Sequence, residues 1–511
     1  MGILSLNWWL DFAVVFVSAI VAAYLYMTRN FNHWSKRNVM EVSPIPFFGN
    51  FLDCCLFRKS TSEVLQSVYE KGGGNEGKPY VGFYVFDKPA LVLRDHEIMK
   101  RILIKDFDYF TDRFMRTDAS DTIAYGNLFL MRNPAWRAMR LKLSQFFSAA
   151  KLQRTFRLMV DVGEDLDRHL EALKLGGAGR TIEVKEIAAE FMTDVIGSCA
   201  FGLRVNCLNN PDAEFRTCGK NMFQFSYVRS AEFTSIFFIP ELVRPLKLKF
   251  FSKASTNFMR KVFTETLNKR MESGVRRDDL IDLMIDWTKS DIDISEDFKL
   301  EGDSLVGTAA LFLAAGFETT STTMAFGLYE LALHPDVQSK LRAEIKTAMA
   351  NNGGDITYRM INSLPYLDKV VSETLRKYPS LPFLDRMANT DYEVAETGLV
   401  IEKGTPVYVS LLGLHYDPEY YPEPHKFDPE RFSEANRDKI PRYAYLPFGI
   451  GPRSCVGLRL GMLQSKLGIL KVISNYELTV CEKTKISPRF NPKSLLIGVD
   501  GGLFVNARKV E

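Results

Sequence analysis

The sequence lacks the marks of secreted, disulfide-bonded and nucleic-acid-binding proteins. Its seven cysteines are an odd number and form no Cys-x-x-Cys pair, so neither a disulfide framework nor a cysteine-rich zinc site is indicated. No Asn-x-Ser/Thr sequon is present, and the formal net charge of +3 is too small to favour a nucleic-acid partner. We therefore expect most of the chain to lie in a reducing compartment.

Nothing in the sequence divides its body into separate domains, since it contains no internal repeat, low-complexity tract or long linker. Hydrophobic residues make up 46% and charged residues 25% of the 511 residues, as in ordinary globular proteins. The patterns predict a mainly α fold with a small β part, in one large domain. The predicted helices are Pro134–Phe147, Leu152–Leu175, Glu183–Phe201, Thr256–Ser273 and Asp303–Leu333, and the predicted strands are Tyr80–Phe86, Leu91–Arg94, Tyr392–Glu402 and Leu495–Val505.

One apolar run near the N-terminus is long enough to cross a membrane. Trp8–Met27 carries a single charged residue, no Lys or Arg precedes it, and three basic residues follow it closely. This predicts an uncleaved anchor at residues 1–28 with the rest of the chain on the cytoplasmic side; a cleaved signal peptide is the alternative. We assign residues 29–50 to a basic, proline-containing connector and residues 51–511 to a catalytic domain.

The segment GGGNEGKP, Gly72–Pro79, matches half of a phosphate-binding loop. A proline stands where such a loop needs the Ser or Thr that binds magnesium, and no apolar strand leads into the segment. We therefore predict a surface turn here and not a nucleotide site.

The segment FGIGPRSCVG, Phe448–Gly457, sets Cys455 among glycines just before an apolar helical run. A thiolate is a soft metal ligand, and a bound metal deprotonates the sulfur that an apolar pocket would otherwise keep neutral. Gly451 and Gly457 permit tight turns and a close approach of the backbone to a flat cofactor. Phe448 would shield the sulfur from water, and Arg453 would pair with a carboxylate of the cofactor. A buried core cysteine is the alternative interpretation of Cys455 alone.

This segment resembles, position for position, the F-x-x-G-x-R-x-C-x-G haem-binding signature of the cytochrome P450 family. The resemblance implies a haem b, iron protoporphyrin IX, whose iron is ligated by the Cys455 thiolate. It also implies a large helical P450-type domain behind an N-terminal transmembrane helix.

Several basic or donor side chains resemble the residues with which the family holds the haem propionates. Trp136 and Arg140 form the W-x-x-x-R motif in WRAMR. Arg386 resembles the arginine that follows the family's E-x-x-R helix, and Arg113 in FTDR is a further candidate for the same contact. The resemblance thus assigns cofactor-binding roles to these four residues as well as to Phe448, Arg453 and Gly457.

Two further motifs support the resemblance. Glu373 and Arg376 in ETLR share one helix face, and in the family this pair joins the arginine of a P-E-R-F segment, here Arg431. Glu318 and Thr319 lie within AAGFETTST on a predicted buried helix. Burying polar side chains is unfavourable, so their presence there indicates a function. In the family an acid and a threonine at these positions relay protons to dioxygen, so both are candidate catalytic residues, and Gly316 is expected to leave room for a diatomic ligand.

The resemblance implies a monooxygenase that inserts one atom of dioxygen into a small apolar substrate with electrons from NADPH. A haem-thiolate isomerase or dehydratase is the alternative enzyme class, and a haem sensor is a third. The chain has no flavin or nicotinamide fingerprint, so electrons are expected from a separate NADPH–cytochrome P450 reductase, with cytochrome b5 as a second donor. Arg137, Lys142 and Arg459 are candidate docking residues, although a solvated helix face explains them equally well.

Two long segments, Phe191–Gly202 and Asp355–Pro379, are very similar to insect microsomal members that act on plant toxins and insecticides. We therefore expect xenobiotic substrates and an endoplasmic reticulum location, with a single membrane pass. Oxidation of endogenous hormones or fatty acids stays open, because the sequence does not reveal which side chains meet in the pocket.

Overall fold

Helices form most of this protein in the computed structural model, which describes residues 8–73, 77–289, 293–295 and 298–510. Part of the predicted GGGNEGKP turn and the first seven residues of the predicted anchor lie outside the described residues. Within these ranges the α-helices are α1 Trp8–Thr28, α2 Leu52–Cys55, α3 Thr61–Lys71, α4 His96–Lys100, α5 Thr122–Tyr125, α6 Ala135–Ser144, α7 Ala149–Ala172, α8 Val184–Ile196, α9 Glu214–Phe223, α10 Tyr227–Phe238, α11 Lys253–Ser273, α12 Leu280–Lys289, α13 Asp303–Leu333, α14 Pro335–Asn351, α15 Tyr358–Asn362, α16 Pro365–Lys377, α17 Leu411–His415, α18 Glu434–Arg437 and α19 Leu458–Asn475.

The strands of the described ranges are short and lie in four small sheets. They are β1 Tyr80–Val85, β2 Lys88–Leu93, β3 Arg180–Glu183, β4 Asp293–Ser295, β5 Phe298–Lys299, β6 Phe383–Met387, β7 Tyr392–Val394, β8 Leu399–Ile401, β9 Pro406–Ser410, β10 Tyr476–Thr479 and β11 Phe504–Lys509. The largest sheet has the order β1-β2-β9-β6, with β2 and β9 parallel and the other neighbours antiparallel. The predicted fold class, mainly α with a small β part, is confirmed.

The long helix α13 begins and ends where the sequence predicts, and it runs through the interior. It is apolar around most of its circumference, as expected of a helix that packs against other elements on several sides. Helices α8, α16 and α19 all contact it. A side chain from α13 can therefore face either these helices or any space left between them.

The predicted strand Leu495–Val505 is wrong except for its last two residues. Gly501 and Gly502 have φ values of +90° and +84°, a conformation that regular strands do not contain. The strand β11 begins only after them and pairs with both β10 and β3. The predicted strand Tyr392–Glu402 is instead the hairpin β7–β8, whose turn includes Gly398 at φ +69°.

The predicted connector between α1 and the domain packs against the largest sheet. Trp34 is 1% exposed, and its indole N–H donates to the carbonyl of Phe83 over 3.2 Å. A Cβ atom at Gly82 would overlap the Trp34 ring, so only glycine leaves room for it. Arg29 forms an ion pair with Asp87 at 2.7 Å. The chain is thus attached to the domain within a few residues of the end of α1.

Candidate functional site

The loop that carries Cys455 is a compact turn directly before α19. The Cys455 N–H donates to the carbonyl of Phe448 over 2.8 Å. Gly449 and Gly451 have φ values of +67° and +75°, and a Cβ at Gly451 would collide with the carbonyl oxygen of Leu103. The glycines of the motif therefore allow the loop to fold tightly and to lie directly against the backbone of Leu103, which follows α4.

A cavity of about 280 Å³ lies between this loop and α13. Its apolar lining includes Leu128, Phe129, Leu143, Phe147, Ile196, Leu311, Phe312, Ala315, Leu381, Leu384, Phe448, Val456 and Leu460. The rings of Phe147 and Phe312 stack with their centroids 5.5 Å apart. The cavity is therefore suited to a largely apolar ligand.

Cys455 lies on the wall of this cavity. The side chain has exposed surface, which faces the cavity, although the residue lies deep within the protein. Burial raises the pKa of the thiol, while the N–H of Gly457 and the charges of Arg140 and Arg113 oppose that rise. The thiol is thus neutral by itself but has groups around it that favour its anion, as a thiolate ligand requires.

Of the four arginines predicted for cofactor binding, Arg113, Arg140 and Arg453 line one end of the cavity, whereas Arg386 lies near Arg453 outside the lining. Arg453 donates to the carbonyls of Thr111 over 2.7 Å and Met131 over 3.0 Å, and its guanidinium lies 4.1 Å from the ring centroid of Trp136. Burial and the neighbouring Arg113 and Arg386 lower the pKa of Arg453 to about 8.

The other three arginines are incompletely paired. Arg113 forms an ion pair with Asp385 at 2.8 Å, but its Nε has no partner within the described ranges. The Nε of Arg386 likewise has none there, and burial lowers the pKa of this residue to about 9. Arg140 lines the cavity and makes no hydrogen bond to any described residue. With Asp112 and Asp385 as the nearby carboxylates, this end of the cavity holds more positive than negative charge.

The structure separates the two predicted catalytic residues of α13. Thr319 lines the cavity, and its hydroxyl donates to the carbonyl of Ala315 over 2.6 Å. Glu318 is not among the lining residues, and its carboxylate forms an ion pair with Lys185 of α8 at 2.9 Å. Gly316 lines the cavity too, but a Cβ there would lie 2.5 Å from the Ile196 side chain, so this glycine also allows α8 to approach α13.

The ETLR segment forms a buried cluster behind the cysteine loop. Glu373 and Arg376 are both 0% exposed and are joined by two hydrogen bonds of 2.7 and 2.8 Å. Arg376 also donates to the carbonyl of His415 over 2.8 Å, and Arg431 lies 3.4 Å from Glu373. The three predicted residues therefore meet, as the resemblance implied.

Sequence reasoning missed His415 and the polar residues that line the cavity from α19. The Nε2 of His415 accepts a hydrogen bond from the N–H of Leu446 over 3.0 Å, which joins the ETLR cluster to the chain that leads into the cysteine loop. No local pattern marks this histidine. Gln464 and Ser465 also line the cavity. The helical period from Gly457 would have indicated Gln464, which lies seven positions later on the same face.

Comparison with known proteins identifies the family. A family profile described as Cytochrome P450 matches residues 40–504. The protein named cytochrome P450 6k1, from Blattella germanica, is 42% identical over 509 residues, which cover 96% of each chain. Probable cytochrome P450 6g2 from Drosophila melanogaster is 40% identical, covering 96% of this chain and 97% of its own. The chain belongs to the cytochrome P450 family.

Membership of the cytochrome P450 family makes the chain a haem-containing monooxygenase that uses dioxygen, a redox partner and a small substrate. The residues present fit a haem. The cavity offers a soft thiol ligand, an apolar wall and an excess of positive charge, and the buried Nε atoms of Arg113 and Arg386 beside it lack partners among the described residues. These features suit a flat apolar macrocycle that carries carboxylates at one edge.

Proposed function

We propose that this protein is a membrane-anchored haem-thiolate monooxygenase that oxidises small apolar xenobiotics such as plant toxins or insecticides. The observation that carries the proposal is the Cys455 thiol, which opens into an apolar cavity beside unmatched arginine charges. Bound haem would supply the oxygen-activating iron, since a thiolate ligand favours O–O cleavage. The protein's residues hold the cofactor, shape the cavity and position protons.

The cofactor in this proposal is haem b, with Cys455 as the metal ligand. Trp136, Arg140 and Arg453 are placed beside the cavity where they would meet the propionates, together with Arg113. Arg386 lies behind that wall and contributes through its charge. Phe448 and Gly457 shape the surface next to the sulfur. The unmatched cations support this assignment, because buried charge is stable only when it is neutralised.

Thr319 would hold a hydrogen-bonded water or hydroxyl close to the reacting dioxygen. Its hydroxyl already uses its proton on the Ala315 carbonyl, so it is oriented to accept from a water in the cavity. Glu318 would bring protons to this threonine, and its ion pair with Lys185 must open for it to do so. The pair is only partly buried, with side-chain exposures of 17% and 25%, so opening it costs little.

The insect relatives and the apolar lining support xenobiotic substrates, while hormones or fatty acids are the alternative. The helix α1 is long and apolar enough to cross a membrane and has no buried residue, which supports the anchor at residues 1–28 ahead of the connector 29–50 and the catalytic domain 51–511. We propose that this anchor holds the protein in the endoplasmic reticulum membrane. NADPH–cytochrome P450 reductase would then supply the electrons, with cytochrome b5 as a second donor.

The test is a carbon monoxide difference spectrum of the dithionite-reduced protein. We expect a Soret band shifted far to the red in the wild type and lost in Cys455→Ser. Cys481→Ser is the matched control, since Cys481 does not line the cavity, and it should keep the band. A protein that binds no haem, or a band that survives Cys455→Ser, would overturn the assignment. Reconstitution with the reductase and NADPH then tests oxidation of plant toxins against fatty acids.

A further inference from the structure

The cavity extends into a polar recess between α13 and α19. Five side chains line it, and we call it the Gln464 recess: Thr320, Thr323, Ser380, Gln464 and Ser465. None of them is more than 7% exposed. Further along these two helices the contact is apolar where Gly468 lies against Met324 and where Gly327 lies against Ile469. A concentration of hydroxyl and amide groups is therefore specific to the end of the contact that opens into the cavity.

The amide of Gln464 is unsatisfied in this recess. Its Nε2 atom is buried, yet it donates to none of the residues that the structure describes. Side-chain amides carry two N–H donors, and leaving them buried without an acceptor is unfavourable. Buried polar groups of this kind are nearly always paired with protein or with ordered water. An acceptor other than the described residues, such as a water molecule, would therefore satisfy this amide.

The same face of α19 has open space one turn before Gln464. A Cβ atom at Gly461 would meet the Thr320 hydroxyl at 3.9 Å and no other described atom outside the neighbouring α19 backbone within 4 Å. The hydroxyls of Thr320 and Ser465 form no hydrogen bond with the described residues, so both are available to a small polar molecule. A water molecule needs two to four polar partners, and the recess supplies them.

The recess connects to Thr319 through hydrogen bonds. The Ser380 hydroxyl donates to the Thr319 carbonyl over 3.0 Å, and the Thr323 hydroxyl donates to the same carbonyl over 2.9 Å. The two hydroxyl oxygens lie 3.3 Å apart. Two hydroxyls of the recess thus hydrogen-bond to the backbone of the residue that we assign to proton positioning.

We propose that the Gln464 recess is a binding site for ordered water, held by the Gln464 amide, that supplies hydrogen-bonded water to the Thr319 side of the cavity. This supply does not pass through Glu318, whose carboxylate lies on another face of α13 against Lys185. The water site follows from the protein's own groups. Only its role in the reaction rests on the monooxygenase function proposed above.

A crystal structure of the haem-loaded, full-length protein tests the site directly. We expect an ordered water about 2.7–3.2 Å from the Gln464 Nε2. Gln464→Met has a similar shape without hydrogen-bonding groups and should lose this water. Ser465→Ala is a milder variant that removes one partner, and it keeps the test available if Gln464→Met folds poorly. The control is Ser474→Ala, a buried serine on α19 outside the cavity lining. A recess without water in the wild type would overturn the proposal.

The role in the reaction is measured as product formed per NADPH consumed, with hydrogen peroxide as the uncoupled product. We expect Gln464→Met to lower this ratio about two- to ten-fold, the equivalent of one lost hydrogen bond, and Ser465→Ala to lower it less. Ser474→Ala should keep the wild-type ratio. The reduced carbon monoxide spectrum should stay unchanged in all three variants. Wild-type coupling in a Gln464→Met protein that has lost its water would overturn the supply role, whereas a missing thiolate-type band in the wild type would overturn the proposed function instead.

Discussion

Two buried groups of charge lie near the cysteine loop, and they differ in how far the protein neutralises them. In the ETLR cluster, Arg376 uses all three guanidinium nitrogens on Glu373, the His415 carbonyl and the Lys426 carbonyl. Around the cavity, Arg113 and Arg386 each keep a buried Nε without a partner among the described residues. Arg376 is thus fully paired within the chain, whereas Arg113 and Arg386 beside the proposed ligand site are not. Arg431, the outer member of the ETLR cluster, also keeps a buried Nε without a hydrogen bond to the described residues, although it lies 3.4 Å from Glu373.

The largest effect is expected from breaking the paired cluster. Glu373→Ala would leave Arg376 buried without its carboxylate and should lower the free energy of unfolding by about 3–5 kcal/mol. Urea unfolding of the haem-loaded protein measures this loss. Glu430→Ala is the control, because Glu430 is 39% exposed and pairs with Lys340 and Lys369 at the surface. It should cost less than about 1 kcal/mol, and equal losses for the two variants would contradict the comparison.

The next effect concerns the histidine that joins the ETLR cluster to the cysteine loop. Burial and the nearby Arg376 lower the pKa of His415 to about 3, from an ordinary 6.5. Because the unfolded chain takes up this proton first, the native state should lose about 1.4 kcal/mol of stability per pH unit as pH falls from about 6.5 towards 3.

Urea unfolding between pH 6.5 and 4.5 measures this dependence, and His415→Gln removes the titrating group. The difference in free energy of unfolding between the two proteins separates the contribution of His415 from that of the carboxylates that titrate in the same pH range. Parallel pH profiles would mean that His415 is not held neutral in the folded protein.

A smaller effect is expected from the unpaired set. Arg140→Leu removes a partly buried cation that makes no hydrogen bond to the described residues, so the haem-free protein should be equally stable or more stable. Its affinity for haem should fall about ten-fold, the value of one charge-assisted hydrogen bond. Haem titration measures the affinity. Arg137→Leu is the control, since Arg137 is 60% exposed and pairs with Asp108. Destabilisation of the haem-free Arg140→Leu protein would place Arg140 with the structural charges.

The smallest effect on stability is expected at the ion pair of α8 and α13. Lys185→Met should cost less than about 1 kcal/mol, because both side chains are partly exposed. It should release the Glu318 carboxylate, and the solvent deuterium isotope effect on turnover should change with it. Lys220→Met, at a 58% exposed lysine of the neighbouring α9, should leave the isotope effect as it is. An unchanged isotope effect in Lys185→Met would show that this pair does not control proton delivery.

The sequence predicts the parts of the site that depend on local spacing. The Cys455 loop, the Trp136 and Arg140 pair, and Thr319 on α13 are each set by residues within one turn or one helix, and all of them line the cavity. Neighbouring helical residues point about 100° apart, so Thr319 and Glu318 do not face the same space. This difference in direction follows from the sequence once the helix is known, whereas the family motif by itself predicts a catalytic role for both residues.

The missed residues depend on contacts between distant segments. His415 contacts Arg376, which lies 39 positions away in the sequence. Lys185 on α8 forms an ion pair with Glu318 on α13. The haem signature indicated the position of Cys455 but not the unpaired amide of Gln464, since pairing is decided by neighbours on α13. Likewise, the positive φ angles of Gly501 and Gly502 keep the earlier part of the predicted strand Leu495–Val505 from being a strand, so that β11 begins only after them.

The docked tryptophan of the connector limits how far the domain can travel. Trp34 lies six residues after Thr28, the last residue of α1, and a fully extended chain of that length spans only about 20 Å. Wherever α1 is held, the domain therefore stays within about that distance of the end of α1. If the same membrane also holds an electron donor, the two proteins would meet within a thin layer next to that membrane. Their local concentration there would be higher than in bulk solution.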